Sequence, residues 1–304
     1  MSLLIERSGA LASLQDGGRF GVRHLGVTQG GAADWVSQAW ANWLLGNPLQ
    51  AATVEITLGN LVLLAESDSC LALCGADLGA TLDGQPVAPG RSFHIRRGQR
   101  LDFAQPRQGV RAYLAAPGGF TAPLLLGSCA TVRREALGGL QGDGRPLAPD
   151  DRLSWNGRAP QPRTLDPTQT LSLANPDALA VVLGAQIGDF SGQSLFDAFN
   201  KPWTIDQRAD RMGVRLLGPT LRSARQSMIS EGVPLGAIQV PPDGQPIVLL
   251  NDRQTIGGYP RLGALTPLAV ARLAQCMPGT RIHLKPIALA AAQREQRQLL
   301  ARWR

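Results

Sequence analysis

Five hydrogen-bonding side chains stand in a row at Asn251-Asp252-Arg253-Gln254-Thr255, directly after the apolar run Ile247-Val248-Leu249-Leu250. Polar groups leaving a buried strand are costly unless something polar covers them. Arginine recognises a carboxylate through a planar, bidentate fork, and a neighbouring aspartate either holds that fork or acts as a base. Gly257-Gly258 follow, where backbone can approach a ligand and offer N–H groups, and Tyr259 adds a flat amphipathic wall. Glu231 and Gln239 lie within reach of the same hairpin, so Glu231, Gln239, Asp252 and Arg253 form the first candidate constellation, with Gln254 and Thr255 beside them. Two more arginines sit next to carboxylates in glycine-rich loops: Arg19 near Asp16, and Arg211 after Asp210. The competing expectation for these two is surface ion pairs that contribute little.

Other chemistry is missing from the sequence. It has no Gly-x-x-x-x-Gly-Lys-Ser/Thr phosphate loop, no Met-Lys-Met biotin-attachment segment and no Gly-x-Ser-x-Gly nucleophile elbow. Cys70, Cys74, Cys129 and Cys276 lack zinc spacing, and His24, His94 and His283 are scattered, so no metal is expected. The cysteines read as small buried hydrophobes.

The elements that must position these residues are short. The hairpin reads as a strand over Ala237–Val240, a turn at Pro241-Pro242-Asp243-Gly244 and a strand over Gln245–Leu250. Upstream, strands are expected at Leu3–Arg7 and Ala12–Leu14, then a glycine-rich loop to Gly31. A helix over 33–45 buries Val36, Ala39, Trp40, Trp43 and Leu44 as one stripe, with Asp34 at its start and Gly46 at C′. Short β runs fill Ala52 to Ala115, and 133–144 reads as loop. Prolines at 160, 162 and 167 mark a boundary, giving modules 1–160 and 161–304. The second module begins with strands at Thr170–Leu173 and Ala180–Leu183 and a short helix over Phe190–Phe199. It continues with a strand at Trp203–Asp206, a helix from Thr266-Pro267, and a terminal helix docked through Ile287, Leu289, Leu299, Leu300 and Trp303. Arg19–Gly26 matches Arg211–Gly218 at six of eight positions, and Gly98–Phe103 parallels Gly279–Leu284. The same order in both halves points to two similar β modules.

Composition agrees. With 304 residues, 35 Gly and 22 Pro, 44% hydrophobic and 17% charged, the chain reads as mainly β with a few helices, an α+β protein of two domains. No run approaches a membrane span and the start is unlike a signal peptide, so a cytoplasmic protein without membrane contact is expected. The net charge of +7 is concentrated from residue 281 onward, where six basic residues face one glutamate, and no nucleic-acid motif accompanies it.

The stretch SEGVPLGAIQVPPDGQPIVLLNDRQTIGGYP resembles the signature of the allophanate hydrolase subunit 2 family, the biotin-dependent carboxyltransferases with subdomains A and B. Asp16-Gly17-Gly18-Arg19, Gly31-Ala32-Ala33-Asp34, Tyr113-Leu114-Ala115, Leu126-Gly127-Ser128 and Asp210-Arg211-Met212-Gly213 extend the resemblance over nearly the whole chain. It implies two cyclophilin-like β-barrel modules. Bacterial members include the C subunit of an ATP-dependent 5-oxoprolinase, which converts 5-oxo-L-proline, ATP and water to L-glutamate, ADP and phosphate. The implied partners are a B-type subunit (carboxyltransferase subdomains C and D) and a LamB/YcsF-like A-type subunit. This chain would be inactive alone and bind no cofactor itself, with ATP used through a partner. In that reading Arg253 holds the substrate carboxylate, Asp252 or Glu231 directs water or a proton, and the Gly257-Gly258 N–H groups stabilise oxyanion charge. One alternative is the carboxyltransferase of a urea-type carboxylase, with biotin on a separate carrier. Another is a non-catalytic regulator that binds a kinase-inhibitor-like, B-type partner. The chain departs from the family pattern at Thr28-Gln29-Gly30 (for Pro-x-Ser), at Cys129-Ala130 (for Arg), and at Ala185 (for Pro). These changes leave altered substrate choice and relaxed catalysis both open.

Overall fold

The computed structural model describes all residues except 10, 159, 160, 167, 175, 177, 226, 227 and 304. The chain forms two compact units: 1–20 with 30–174, and 21–29 with 175–304. The division after residue 174 lies beyond the expected boundary at 160, part of which falls outside the described residues. Residues 21–29, expected within the first module, pack with the second unit. Both units are mainly β, with four α-helices among the described residues.

In the N-terminal unit the strand Ser2–Arg7 alternates buried Leu3 and Ile5 with more exposed neighbours, the period of a half-buried strand. It lies between Arg152–Ser154 and Leu61–Ala65 in a sheet that continues through Arg100–Phe103, Thr81–Leu82 and Gln85–Pro86. A second sheet orders Ala12–Gln15, Thr53–Thr57, Gln108–Ala115, Ser69–Asp77 and Arg91–Ile95. Helix α1 (Trp35–Leu44) packs on the strands Ser69–Asp77 and Gln108–Ala115. Of its expected stripe, Val36, Ala39, Trp40 and Leu44 are buried and Trp43 is half-buried. Gly46 takes φ +70°, the left-handed value a C′ position requires.

The start of α1 is fixed by a buried polar chain. Asp34 accepts hydrogen bonds from Ser37 N (3.0 Å) and Ser37 Oγ (2.6 Å). Asp34 N donates to Tyr113 Oη at 2.7 Å, and Tyr113 Oη donates to Glu55 Oε2 at 2.8 Å. The same Glu55 oxygen accepts Ala33 N at 2.9 Å. Asp34, Glu55 and Tyr113 are all at most 1% exposed, so each lone pair or donor depends on this geometry.

In the C-terminal unit eight strands run in the order Arg281–Ile282, Trp203–Ile205, Gly213–Leu217, Ile247–Leu249, Ala237–Gln239, Arg261–Leu265, Leu179–Leu183, Leu284–Ile287. The two outermost strands are separated in sequence by His283 alone, so the sheet curls into a nearly closed barrel and leaves little free edge. Leu179, Val181, Trp203, Ile205, Leu216, Ile238, Val248 and Ile282 fill its core. Helix α2 (Gly192–Asn200) follows the Ser191 cap, and α3 (Pro267–Leu273) follows the Thr266 cap. Residues 170–173 form no strand. Helix α4 (Leu289–Leu300) buries Ala292 and Leu299, whereas Leu289 is 59% and Leu300 42% exposed. The docking stripe is therefore narrower than apolar content implied. No helix of the described residues is long and apolar enough to cross a membrane.

The Tyr113 chain yields a direct test. Tyr113→Phe strands Asp34 N–H and removes a donor to Glu55, a cost of about 1–3 kcal/mol. Thermal denaturation should show the melting temperature falling by several degrees. A shift below about 1 °C would show that the network contributes nothing to the unit.

Candidate functional site

The central hairpin closes through Gly244 N–H to the Pro241 carbonyl at 2.9 Å, with Gly244 at φ +74°. Its strands are Ala237–Gln239 and Ile247–Leu249, each shorter than expected. After Leu249 the backbone leaves the ladder and zips onto a neighbouring loop. Leu250 N donates to Met212 O and Asp252 N to Arg211 O, both at 2.8 Å. This brings the side chains of Arg211 and Asp252 together as a bidentate pair, Nε to Oδ2 and Nη2 to Oδ1, each at 3.0 Å.

Arg253, adjacent to Asp252 in sequence, therefore pairs with something else. It is 3% exposed. Its Nε donates to Val233 O (3.0 Å), Nη1 to Leu250 O (3.1 Å) and Nη2 to Gln29 Oε1 (3.2 Å). Thr28 Oγ1 donates to the Arg253 carbonyl at 3.4 Å. Arg23 places Nη2 on the carbonyls of Val233 and Thr255, the latter at 2.8 Å. Burial first, and then the like charge of Arg23, hold the Arg253 guanidinium down to about 10, with Asp252 opposing. Arg253 thus remains cationic at neutral pH. No sequence motif singles out Arg23; its one signal is its place in the same glycine-rich loop as Arg19.

A second group gathers at the two-stranded ribbon of Glu231–Gly232 and Ile256–Gly257. Glu231 Oε1 accepts from Arg261 Nη2 and from Gln186 Nε2 (2.7 Å). Neither partner stands out in the sequence, although Gln186 adjoins the departure at Ala185. Gln239 is 3% exposed, and its Nε2 has no hydrogen-bond partner among the described residues. A Cβ on Gly257 would lie 2.6 Å from that nitrogen, and one on Gly258 would lie 2.7 Å from the Met228 carbonyl. The absence of side chains there makes room for the chain's own Gln239 and Met228. Gln254 is half-buried, Thr255 lends its carbonyl to Arg23, and Tyr259 is 42% exposed.

The remaining expected residues lie apart from this group. Asp210 is exposed and its Oδ1 accepts Met212 N and Gly213 N, a turn-closing role, while Arg211 serves Asp252. In the N-terminal unit Arg19 is 1% exposed and donates to the carbonyls of Leu125 (3.1 Å) and Ser128 (3.3 Å). Asp16 accepts Gly18 N (2.8 Å), Cys129 N (2.8 Å) and Ser128 Oγ. Of the three Asp–Arg couplings read from closeness in sequence, the Asp252 carboxylate is forked by Arg211, and Arg253 bonds to Val233, Leu250 and Gln29. Successive side chains on an extended or turning backbone diverge, and each guanidinium finds oxygens elsewhere. Among the described residues no His, Cys, Asp and Glu cluster fits a metal.

The C-terminal unit is a β-barrel scaffold that presents a cationic, carbonyl-lined loop, and its relatives narrow the class further. Residues 25–286 match the carboxyltransferase domain, subdomain A and B. The chain belongs to that family. It is 37% identical over 300 residues to the C subunit of the 5-oxoprolinase of Escherichia coli K12, covering 97% of this chain and 96% of that protein. The corresponding C subunit of the Haemophilus influenzae 5-oxoprolinase is 33% identical over 94% of this chain and 92% of its own length. Among solved structures, the Kluyveromyces lactis urea amidolyase superposes with TM-score 0.93 at 26% identity over 99% of this chain. The chain spans only 20% of that amidolyase.

Two measurements test this geometry. Arg211→Ala leaves Asp252 buried without its fork, and Arg211 keeps 21% side-chain exposure, so the cost should be about 2–4 kcal/mol, below that of a fully buried pair. An Arg211→Ala/Asp252→Ala cycle by chemical denaturation should return a coupling of at least ~1 kcal/mol; additive effects would show that the two side chains do not stabilise each other. Cys129, 2% exposed, has its thiol pushed up to about 12, first by burial and then by Asp16. Its pKa lies far above neutral pH, so the native chain should resist a thiol reagent near neutral pH until it is denatured. Rapid native labelling of Cys129 would contradict this.

Proposed function

We propose that this chain is the C subunit of an ATP-dependent, multi-subunit 5-oxoprolinase, inactive alone. With a B-type subunit (carboxyltransferase subdomains C and D) and a LamB/YcsF-like A-type partner, it contributes to opening 5-oxo-L-proline with ATP and water to give L-glutamate, ADP and phosphate. The observation that carries the reading is Arg253, a buried guanidinium bonded only to neutral acceptors, which suits it to a substrate carboxylate. Near-full-length likeness to two proteins named as C subunits of 5-oxoprolinase supports the choice of substrate.

Within this reading the roles divide by geometry. Asp252 has both oxygens on Arg211 and positions the loop, whereas Glu231 is held through Oε1 alone and directs water or a proton through Oε2. Gly257 and Gly258 supply N–H groups to developing oxyanion charge, and Gln239 orients the amide. ATP chemistry belongs to a partner. A carboxyl-transfer reading, with biotin on a separate carrier, draws on the TM-score of 0.93 to the urea amidolyase. Avidin and bicarbonate dependence separate the two.

The purified chain should neither hydrolyse ATP nor form glutamate from 5-oxoproline, while the co-purified complex should do both. Turnover by the single chain would overturn the assignment. In the complex, Arg253→Ala should lower glutamate formation roughly a hundredfold, since each lost charged hydrogen bond contributes ~1.5–3 kcal/mol. Lysine should rescue little if the contact is bidentate. Arg97→Ala, in an exposed turn, should stay within about twofold. Near-full activity of a normally assembled Arg253→Ala complex would make the loop structural.

A further inference from the structure

A buried cation ordinarily meets an anion. Arg253 does not. Its three bonded acceptors are two peptide carbonyls and the Gln29 amide oxygen. The carboxylate next to it in sequence, Asp252, has both oxygens engaged by Arg211. Arg23 approaches the same place from the 21–29 segment of this unit and shares the Val233 carbonyl with Arg253. No ion pair to either guanidinium is found among the described residues. Two like charges thus converge on one carbonyl oxygen; burial first, and then the charge of Arg23, lower the proton affinity of Arg253 against the opposing charge of Asp252. Each guanidinium carries five N–H donors. Arg253 places three bonds and Arg23 uses Nη2 alone, so both retain donors. Arg253 is sealed, while Arg23 and Gln29 are half-exposed, so the open side of the pair lies at these two residues.

We propose that Arg23 and Arg253 together form a clamp for one small carboxylate, and that Gln29 is the neutral acceptor the incoming carboxylate displaces. This deepens the function proposed above by adding Arg23 and Gln29 to the substrate-anchoring group, and it rests on that reading only for the identity of the carboxylate. Gln29 Oε1 meets Arg253 Nη2 at 3.2 Å, the long end of the hydrogen-bond range. A carboxylate in place of the Gln29 amide oxygen adds the Coulombic attraction of a full negative charge and a bidentate match to the guanidinium, neither of which a neutral amide supplies. Thr28, which stands where the family pattern has Pro, and its neighbour Gln29 both bond to Arg253 and so act on how readily the clamp admits its ligand.

The test uses the full chain at constant ionic strength, with thermal melting and calorimetric titration as readouts. The probes are sodium acetate, sodium 5-oxoproline, 2-pyrrolidinone (the same ring without a carboxylate) and sodium chloride. Acetate and 5-oxoproline should raise the melting temperature saturably, and 2-pyrrolidinone and chloride should not. Arg23→Gln, at a half-exposed site, should weaken carboxylate binding roughly tenfold or more without altering the fold, and Arg23→Lys should recover little of it. Gln29→Glu supplies the anion within the chain: it should raise the melting temperature by itself and abolish the response to added carboxylate. A purely structural Gln29 would instead lose stability on gaining a charge. An equal response to chloride, an equal response to 2-pyrrolidinone, or full binding by Arg23→Gln would each overturn the clamp. Carboxylate binding in a chain whose complex turns over no 5-oxoproline would sustain the clamp and reject the oxoprolinase reading. The reverse result would reject the clamp and leave that reading standing.

Discussion

A guanidinium removed from water must be met by oxygen atoms, and the irregular backbone of the C-terminal unit is arranged around that demand. Three arginines share the work. Arg23 and Arg253 draw in the carbonyls of Val233, Leu250 and Thr255, and Arg211 holds Asp252 in a fork. The loop 250–255 therefore cannot continue the Ile247–Leu249 strand: its carbonyls are required elsewhere. The same demand ties residues 21–29 into this unit. Desolvation makes the contacts of Arg253 and Asp252 the most expensive to break, because the charge that remains there would be buried without a partner.

The N-terminal unit shows the complementary solution with carboxylates. Glu55, Asp34 and Asp16 direct their oxygens to backbone N–H groups at Ala33, Ser37, Gly18 and Cys129. Each one pins a loop or a helix start to a strand. Arg19, whose position in a glycine-rich motif invites a ligand role, is committed to the carbonyls of Leu125 and Ser128. The family's N-terminal motifs thus serve, in the described contacts, to lock loops against a sheet. Around Arg253 every bonded acceptor is a neutral oxygen, and the neighbouring carboxylate, Asp252, has both oxygens in the fork of Arg211.

Similar sequence does not impose similar structure even within this chain. Arg19–Gly26 and Arg211–Gly218 agree at six of eight positions. The second forms the strand Gly213–Leu217, while the first is a loop with a single 3-10 turn at Arg23–Leu25. The difference follows from partners: Gly213–Leu217 finds an open ladder beside Ile247–Leu249, whereas Arg23 is pulled to peptide carbonyls instead. The other echo holds better, since Arg100–Phe103 and Arg281–Ile282 are both strands that follow a glycine turn.

Local sequence suffices for the β-rich class, the α1 helix with its Asp34 cap and Gly46 terminus, the Thr266 cap of α3, and the hairpin turn at Gly244. These are set by short-range spacing, by side chains that cap their own helix, and by residues that tolerate a left-handed backbone. The family motifs, being continuous stretches, are equally legible. The partners of Arg211 and Arg253 come from the folded chain, because Asp252 and Arg253, adjacent in sequence, turn to different partners while Arg211 and Asp252, some forty residues distant, lie face to face. So Asp252 belongs to Arg211 and not to Arg253, and Arg23, 210 residues from Val233, shares its carbonyl. The exposed faces of Leu289 and Leu300 have the same origin: a helix buries the stripe that a neighbour covers, and that neighbour is not written in the helix.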